Sequence, residues 1–331
     1  MLRKRFMTIL GLVSVLLLCV AVFPTQAAPK QQVPGSFERG TITKRPFAVM
    51  LDNHPNAYPQ TGMQKATIIY EALAEFGITR FMALYVPGKT EDVPVLGPVR
   101  SARLYYVQWA MGYRALYAHA GGSPQALETL DKTKVLVNLD ALLKTGKPYF
   151  VRSAKRKAPH NLYTSSSDLS KAATDFKVAD LNDSSMGYLF KTASPGQGGN
   201  PITKIDYYFI YSNDPVGWIY DSASNSYLRT RRGKAAIDAA TGEQLRTQNV
   251  LVMEVKQRKV ANDPKGRIEQ EVVGNGVGKA FIDGVEIAIT WRKDTASSQL
   301  LFFTSNGSEV RFNPGQIWIS VVPDIKNLTV K

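Results

Sequence analysis

A chain of 331 residues with 44% apolar residues and a net charge of +14 is long enough for two ordinary hydrophobic cores and too apolar to be a disordered polycation. Its single cysteine, Cys19, excludes a disulfide framework or a cysteine-based metal site. No apolar run after residue 27 is long enough to span a bilayer, so the sequence places no membrane span in the mature chain.

Residues 1–27 read as a secretory signal. Arg3, Lys4 and Arg5 form a basic start, Ile9 to Phe23 is an almost unbroken apolar run, and Thr25-Gln26-Ala27 offers small residues for cleavage. Leu18 stands where a lipid-attachment motif needs a small residue before Cys19, so cleavage is expected ahead of lipidation. The signal holds three basic and no acidic residues, which leaves +11 on the remainder. Residues 28–202 carry +8 of this (21 Lys/Arg, 13 Asp/Glu) and residues 203–331 carry +3 (17 against 14). A basic exported protein meets anionic wall polymers, lipid head groups or acidic glycans rather than nucleic acid. The expected location is extracellular, periplasmic or at the cell envelope.

Residues 28–44 are polar and read as a linker. Phe47 to Leu51 is a short apolar strand ending in Asp52-Asn53. Gln64 to Glu75 places Ala66, Ile69, Tyr70 and Leu73 at helical spacing, with Gly77 past its end, and predicts a helix. Thr79 to Val86 predicts a second strand, Pro98 to Tyr113 a second helix and Ala115 to Ala120 a third strand. Ser123-Pro124 predicts a helix start, with Ser as N-cap and Pro in the first turn. Tyr149 to Arg152 predicts a fourth strand and Leu169 to Phe176 a helix. Strands alternating with helices predict an α/β domain over 45–195, with a mainly parallel or mixed sheet. Ser194 to Pro201 is a breaker cluster. Beyond it, 203–331 is nearly all strand, with Asp283-Gly284 and Asn306-Gly307 as hairpin turns, which predicts a β-rich domain and an α+β chain overall.

The segments RPFAVMLDN (45–53), YPQTGMQKATIIYEALAEFGITRFMALY (58–85), GPVRSARLYYVQWA (97–110), HAGGSP (119–124) and APHNLY (158–163) resemble the YerB-like family of bacterial lipoproteins. YDSASNSYLR (220–229), DAATGEQLRTQNVLV (238–252) and PGQIWISVVP (314–323) are similar to that family's C-terminal domain. The resemblance implies an exported protein of two domains of unknown function, and no particular activity. Leu18 departs from the lipoprotein pattern.

All three histidines, His54, His119 and His160, fall in these motifs. Ligands in open α/β sheets bind beyond the carboxyl ends of the strands. If the first strands run parallel, one rim collects Asp52, Asn53 and His54, then Arg100, Ser101 and Arg103, then His119, Gly121, Gly122 and Ser123, and finally Arg152, His160 and Asn161. Asp52, His119 and His160 are the candidate acid/base residues, and the others are candidate ligand contacts. Arg100 and Arg103 in a first helical turn would oppose the helix dipole, so an anion is expected between them. That anion is either a ligand or a protein carboxylate, with Asp52, Glu71 and Glu75 as the protein candidates. Glu71 and Glu75 read as a structural pair on a helix, with Arg80 nearby and their helix leading toward the other end of the sheet. No metal-ligand spacing and no nucleophile elbow is present, so neither metal nor cofactor is expected. Gly274-Asn275-Gly276-Val277-Gly278 imitates a nucleotide fingerprint but reads as a hairpin turn. Thr230 to Lys234 reads as a solvated basic turn. The expected function is binding of an anionic wall polymer or phosphorylated glycan. The alternatives are a hydrolase or transferase acting on such a polymer, or a protein-binding scaffold.

Overall fold

The computed structural model describes residues 35–181, 183 and 185–331. The expected signal segment, Cys19 and the start of the expected linker lie outside these residues. Residues 35–44, the rest of that linker, bring Phe37 and Ile42 into the core. No helix among the described residues is long and apolar enough to cross a membrane.

The fold is sheet-rich. Its centre is an eleven-stranded mixed sheet that takes strands from both halves of the chain. The first half supplies β1 (Phe47–Asp52), β2 (Ile68–Leu73), β3 (Thr79–Tyr85), β4 (Leu116–His119) and β5 (Val137–Asp140). Across the sheet the order is β5, β4, β1, β3, β2, then Ile317–Val322, Asn249–Glu254, Gly274–Ile282, Val285–Lys293 and Leu301–Thr304. Asn200–Pro201 adds a short strand beside Val285–Lys293. β1, β4 and β5 pair in parallel. β3 lies antiparallel between β1 and β2, so β1 and β2 point the same way. The carboxyl ends of β1, β2 and β4 therefore share one rim with the amino end of β3.

Alternation along the strands splits the core into two layers. Ala48, Met50, Tyr70, Met82 and Leu84 face one side, where helix α1 (Leu104–Met111) brings Tyr105, Tyr106 and Trp109. Val49, Leu51, Ile69, Phe81 and Ala83 face the other. That side is covered by helix α3 (Ser166–Asp175) and by a six-stranded sheet bearing Ile205, Tyr207, Trp218 and Tyr227. Each fully buried large side chain of this kind contributes about 1.5–3 kcal/mol. Helix α2 (Pro124–Lys132) starts as its sequence predicts, with the Ser123 hydroxyl accepting from the Ala126 N–H at 3.4 Å.

Several local expectations fail for physical reasons. Gln64–Glu75 is not a helix. It is a single 3₁₀ turn followed by β2, a central strand buried on both faces. Such a strand reads as a continuous apolar run, and any continuous run contains helically spaced members. The segment from Pro98 enters its helix only at Leu104. Before that it runs extended beside β1, with Asp52 N–H donating to Pro98 O and Arg100 N–H to Met50 O, both at 2.9 Å. Asp140 closes β5, a four-residue strand too short for its alternation to stand out in the sequence. The expected strand at Tyr149–Arg152 is a two-residue piece, Val151–Arg152, outside the central sheet. Gly274–Gly278 is strand rather than turn. A Cβ on Gly276 would lie 2.6 Å from Trp291 Nε1, so glycine is what lets that indole lie across the strand. Arg231 and Arg232 in the expected basic turn pair with Asp214.

The two sheets meet at one buried ion pair. Glu71 of β2 is fully buried, and Arg229 of the smaller sheet donates to both its carboxylate oxygens at 2.8 and 2.9 Å. The Trp318 indole N–H and the Thr79 hydroxyl complete the carboxylate's partners, at 3.3 and 3.2 Å. The Arg229 guanidinium lies 4.3 Å from the Trp318 ring centre and 5.2 Å from that of Trp218. Removing one partner strands a charge in the core, so Glu71→Ala should lose about 3–5 kcal/mol in a urea unfolding curve.

Lys293 offers a second test. It is 1% exposed and donates to the carbonyls of Ala296, at 2.9 Å, and Ser298. Burial lowers its pKa to about 7. The folded chain then releases this proton near pH 7, while the unfolded chain holds it to about 10.5, so stability rises with pH between these values. Wild type should gain up to about 5 kcal/mol over that window relative to Lys293→Met, measured by denaturation at pH 6.5 and near pH 10.

Candidate functional site

The rim at the ends of β1, β2 and β4 opens into a cleft of about 520 Å³. Asp52 ends β1 and is 2% exposed. Its Oδ1 accepts the His54 backbone N–H at 3.0 Å. Its Oδ2 faces His160 Nδ1 at 2.7 Å and Arg100 Nε at 3.1 Å. The His54 and His160 rings stack with centres 4.4 Å apart and planes inclined by 17°. His54 Nδ1 accepts the N–H of Asn56 at 3.1 Å. Burial lowers the His54 pKa, His160 and Arg100 add to the effect, and Asp52 opposes it.

Beside this cluster stands a second one. Glu75 follows β2 and accepts from Arg80 Nη2 at 2.7 Å and from Arg103. Arg80 also donates to the Ser101 carbonyl at 3.0 Å. Burial lowers the pKa of Arg80, Arg100 and Arg103 from the ordinary guanidinium value, but all three remain cations at neutral pH. The far wall comes from the second half of the chain. A hairpin of Gln257–Lys259 and Ile268–Gln270 carries Lys265 and Arg267 into the cleft. Asp263 shapes its turn by accepting the backbone N–H groups of Lys265 and Arg267, at 3.1 and 2.9 Å. Arg80, Arg100, Arg103, Lys265 and Arg267 thus line the cleft against Asp52 and Glu75.

Asp52, His54, Arg100, Ser101, Arg103 and Gly122 line this cleft, and His160 joins it through Asp52 and His54. The others sit elsewhere. His119 is fully buried, with Nδ1 bound to Gly121 O at 2.9 Å and Nε2 to Asn138 Oδ1 at 2.8 Å, so both ring nitrogens are used in joining β4 to its neighbours. Gly121 donates its N–H to Asp140 at 2.8 Å, and Ser123 caps α2. Arg152 and Asn161 bond to one another at 2.7 Å across a short hairpin. Asn53 lies beneath the rim, linking Thr79, Gln60 and Arg231 at 2.7, 3.0 and 3.2 Å.

The anion expected near Arg100 and Arg103 is supplied by the protein, as Asp52 and Glu75 respectively. Arg103 is the N-cap of α1 and Arg100 precedes the helix, so the dipole argument does not apply to Arg100. Glu75 reaches the rim rather than the opposite end because β2 is a strand parallel to β1. Lys265 and Arg267 carried no signal in the sequence, since only the hairpin's docking brings them near β1.

The family model for the N-terminal domain described as "Protein of unknown function (DUF3048)" matches residues 35–179, and that for its C-terminal domain matches 205–319. This chain belongs to that family. It is 32% identical over 335 residues to a Bacillus subtilis (strain 168) protein named "Putative lipoprotein YerB", covering 97% of this chain and 96% of that protein. The crystal structure of YerB protein from Bacillus subtilis is similar, with a TM-score of 0.75 and 30% identity over 87% of this chain and 94% of that one.

Because the rim arginines neutralise the buried Asp52 and the partly buried Glu75, they carry fold as well as site. Arg100→Gln with Arg103→Gln should cost about 3–5 kcal/mol of stability, read from urea unfolding monitored by tryptophan fluorescence.

Proposed function

We propose that this is an exported cell-envelope protein that binds an anionic ligand, a wall polymer or phosphorylated glycan, in the cleft beyond β1 and β2. The observation that carries the reading is the lining itself. Five cationic side chains stand against the carboxylates of Asp52, Glu75 and, paired with Arg267, Asp263, in a cleft large enough for a sugar phosphate unit. Exposed Lys265 extends from a turn held by its own hydrogen bonds and is free to reach a ligand. The basic excess of residues 28–202 and the apolar start of the chain support an envelope location. The name of the Bacillus subtilis relative supports it as well.

Titration calorimetry with phosphorylated glycan fragments tests this. Binding should be measurable at low salt and weaken steeply toward about 0.3 M salt, where screening is short-ranged. Lys265→Glu should weaken it about 3–10-fold with the melting temperature unchanged, since this side chain is exposed. No heat of binding at low salt would sink the reading.

A further inference from the structure

The two stacked imidazoles are in complementary states fixed by their neighbours. His54 Nδ1 receives a backbone N–H from Asn56, so that nitrogen carries no proton and the proton of the neutral ring is on Nε2. His160 Nδ1 faces the Asp52 carboxylate, which only accepts, so its proton is on Nδ1 and Nε2 is left with a free lone pair. One ring therefore offers a hydrogen-bond donor and the other a base, with centres 4.4 Å apart. Asp52 is itself over-determined, by Arg100 Nε and by the His54 backbone N–H. A buried carboxylate that fixes an imidazole's tautomer and steadies its protonated form is the arrangement general-base chemistry needs.

We infer that His160 is the general base of a hydrolytic reaction on a phosphodiester held in this cleft, with Asp52 as its positioning residue and His54 as a neutral hydrogen-bond donor. The inference rests on the anion-binding reading. In the reaction, a water oxygen bonds to phosphorus as one of its protons passes to His160 Nε2. The bond from phosphorus to one ester oxygen breaks, and that oxygen leaves with the electron pair and takes a proton from solvent. His160 returns its proton to solvent, and the products are a phosphomonoester and an alcohol. His54 Nε2–H and the Arg100 guanidinium stabilise the charge on the phosphoryl oxygens.

The charged and titratable groups facing His160 are Asp52, His54 and Arg100. Arg156, on the same loop, is held away by the carbonyls of Ala57 and Pro59. Burial and the neighbouring His160 lower the His54 pKa, and the Asn56 N–H on Nδ1 also opposes its protonation.

The experiment uses the full chain with bis(p-nitrophenyl) phosphate as probe, and titrates phosphorylated glycan fragments into the same variants. Hydrolysis above the buffer rate is expected. His160→Gln should lose about 100-fold or more while still binding the glycan fragments. Asp52→Asn should lower the rate and move the His160 proton from Nδ1 to Nε2, because the Asn amide can donate to Nδ1 where the carboxylate could only accept. Nitrogen-15 NMR of the imidazoles should show His160 protonated at Nδ1 and His54 at Nε2. Glycan binding without probe hydrolysis, a His160→Gln variant with the wild-type rate, or reversed tautomers would each overturn the base assignment and leave the binding reading standing. Loss of both binding and hydrolysis in the wild type would overturn the two together.

Discussion

The pair formed by Glu71 and Arg229 is the constraint on which the rest of the arrangement depends. Placing a carboxylate in the middle of a central strand is tolerable only if every lone pair is engaged. Arg229, Trp318 and Thr79 do that, and each comes from a different strand. The guanidinium in turn is covered by the Trp318, Trp218 and Phe81 rings. The central sheet and the smaller sheet are thereby held in one register, because a slip of either would expose an unpaired charge to an apolar layer.

From that pair the order extends to the rim. The Thr79 hydroxyl donates to Glu71 and accepts from Asn53, whose carbonyl oxygen accepts from Gln60. Gln60 also donates to the backbone carbonyl of Asp52 at 2.8 Å. A chain of buried hydrogen bonds thus fixes the backbone at the end of β1, where Asp52 meets His160 and Arg100. On this side the cleft is supported by buried polar structure rather than by a surface loop.

The cleft's electrostatics combine two effects of opposite sign. The buried Asp52 and the partly buried Glu75 hold Arg80, Arg100 and Arg103 in place, which fixes their geometry and offsets part of their charge. Lys265 and Arg267 then arrive on a hairpin from the far half of the chain; Asp263 of that hairpin pairs with Arg267 at 3.0 Å, so the cationic excess rests chiefly on Lys265. Neither half of the sequence makes this site alone. The parallel pairing of β2 with Ile317–Val322, and of that strand with Asn249–Glu254, is what brings both halves to one rim.

Much was legible in the sequence. The strands of the second half, the Ser123 cap of α2 and the turn at Asp283-Gly284 follow from alternation and turn chemistry, which are local. The motif residues Asp52, His54, Arg100, Ser101 and Arg103 lie along one rim, with His160 against Asp52 and His54. Tertiary structure alone decided that 68–73 is a strand, because burial on both faces, not periodicity, selects it. It decided that His119 turns inward to Asn138, that Glu75 reaches the rim, and that Lys265 and Arg267 face β1. Sequence spacing reports which faces a segment can bury. The partner of a buried charge is set by strand order and direction, which depend on contacts between residues far apart in the chain.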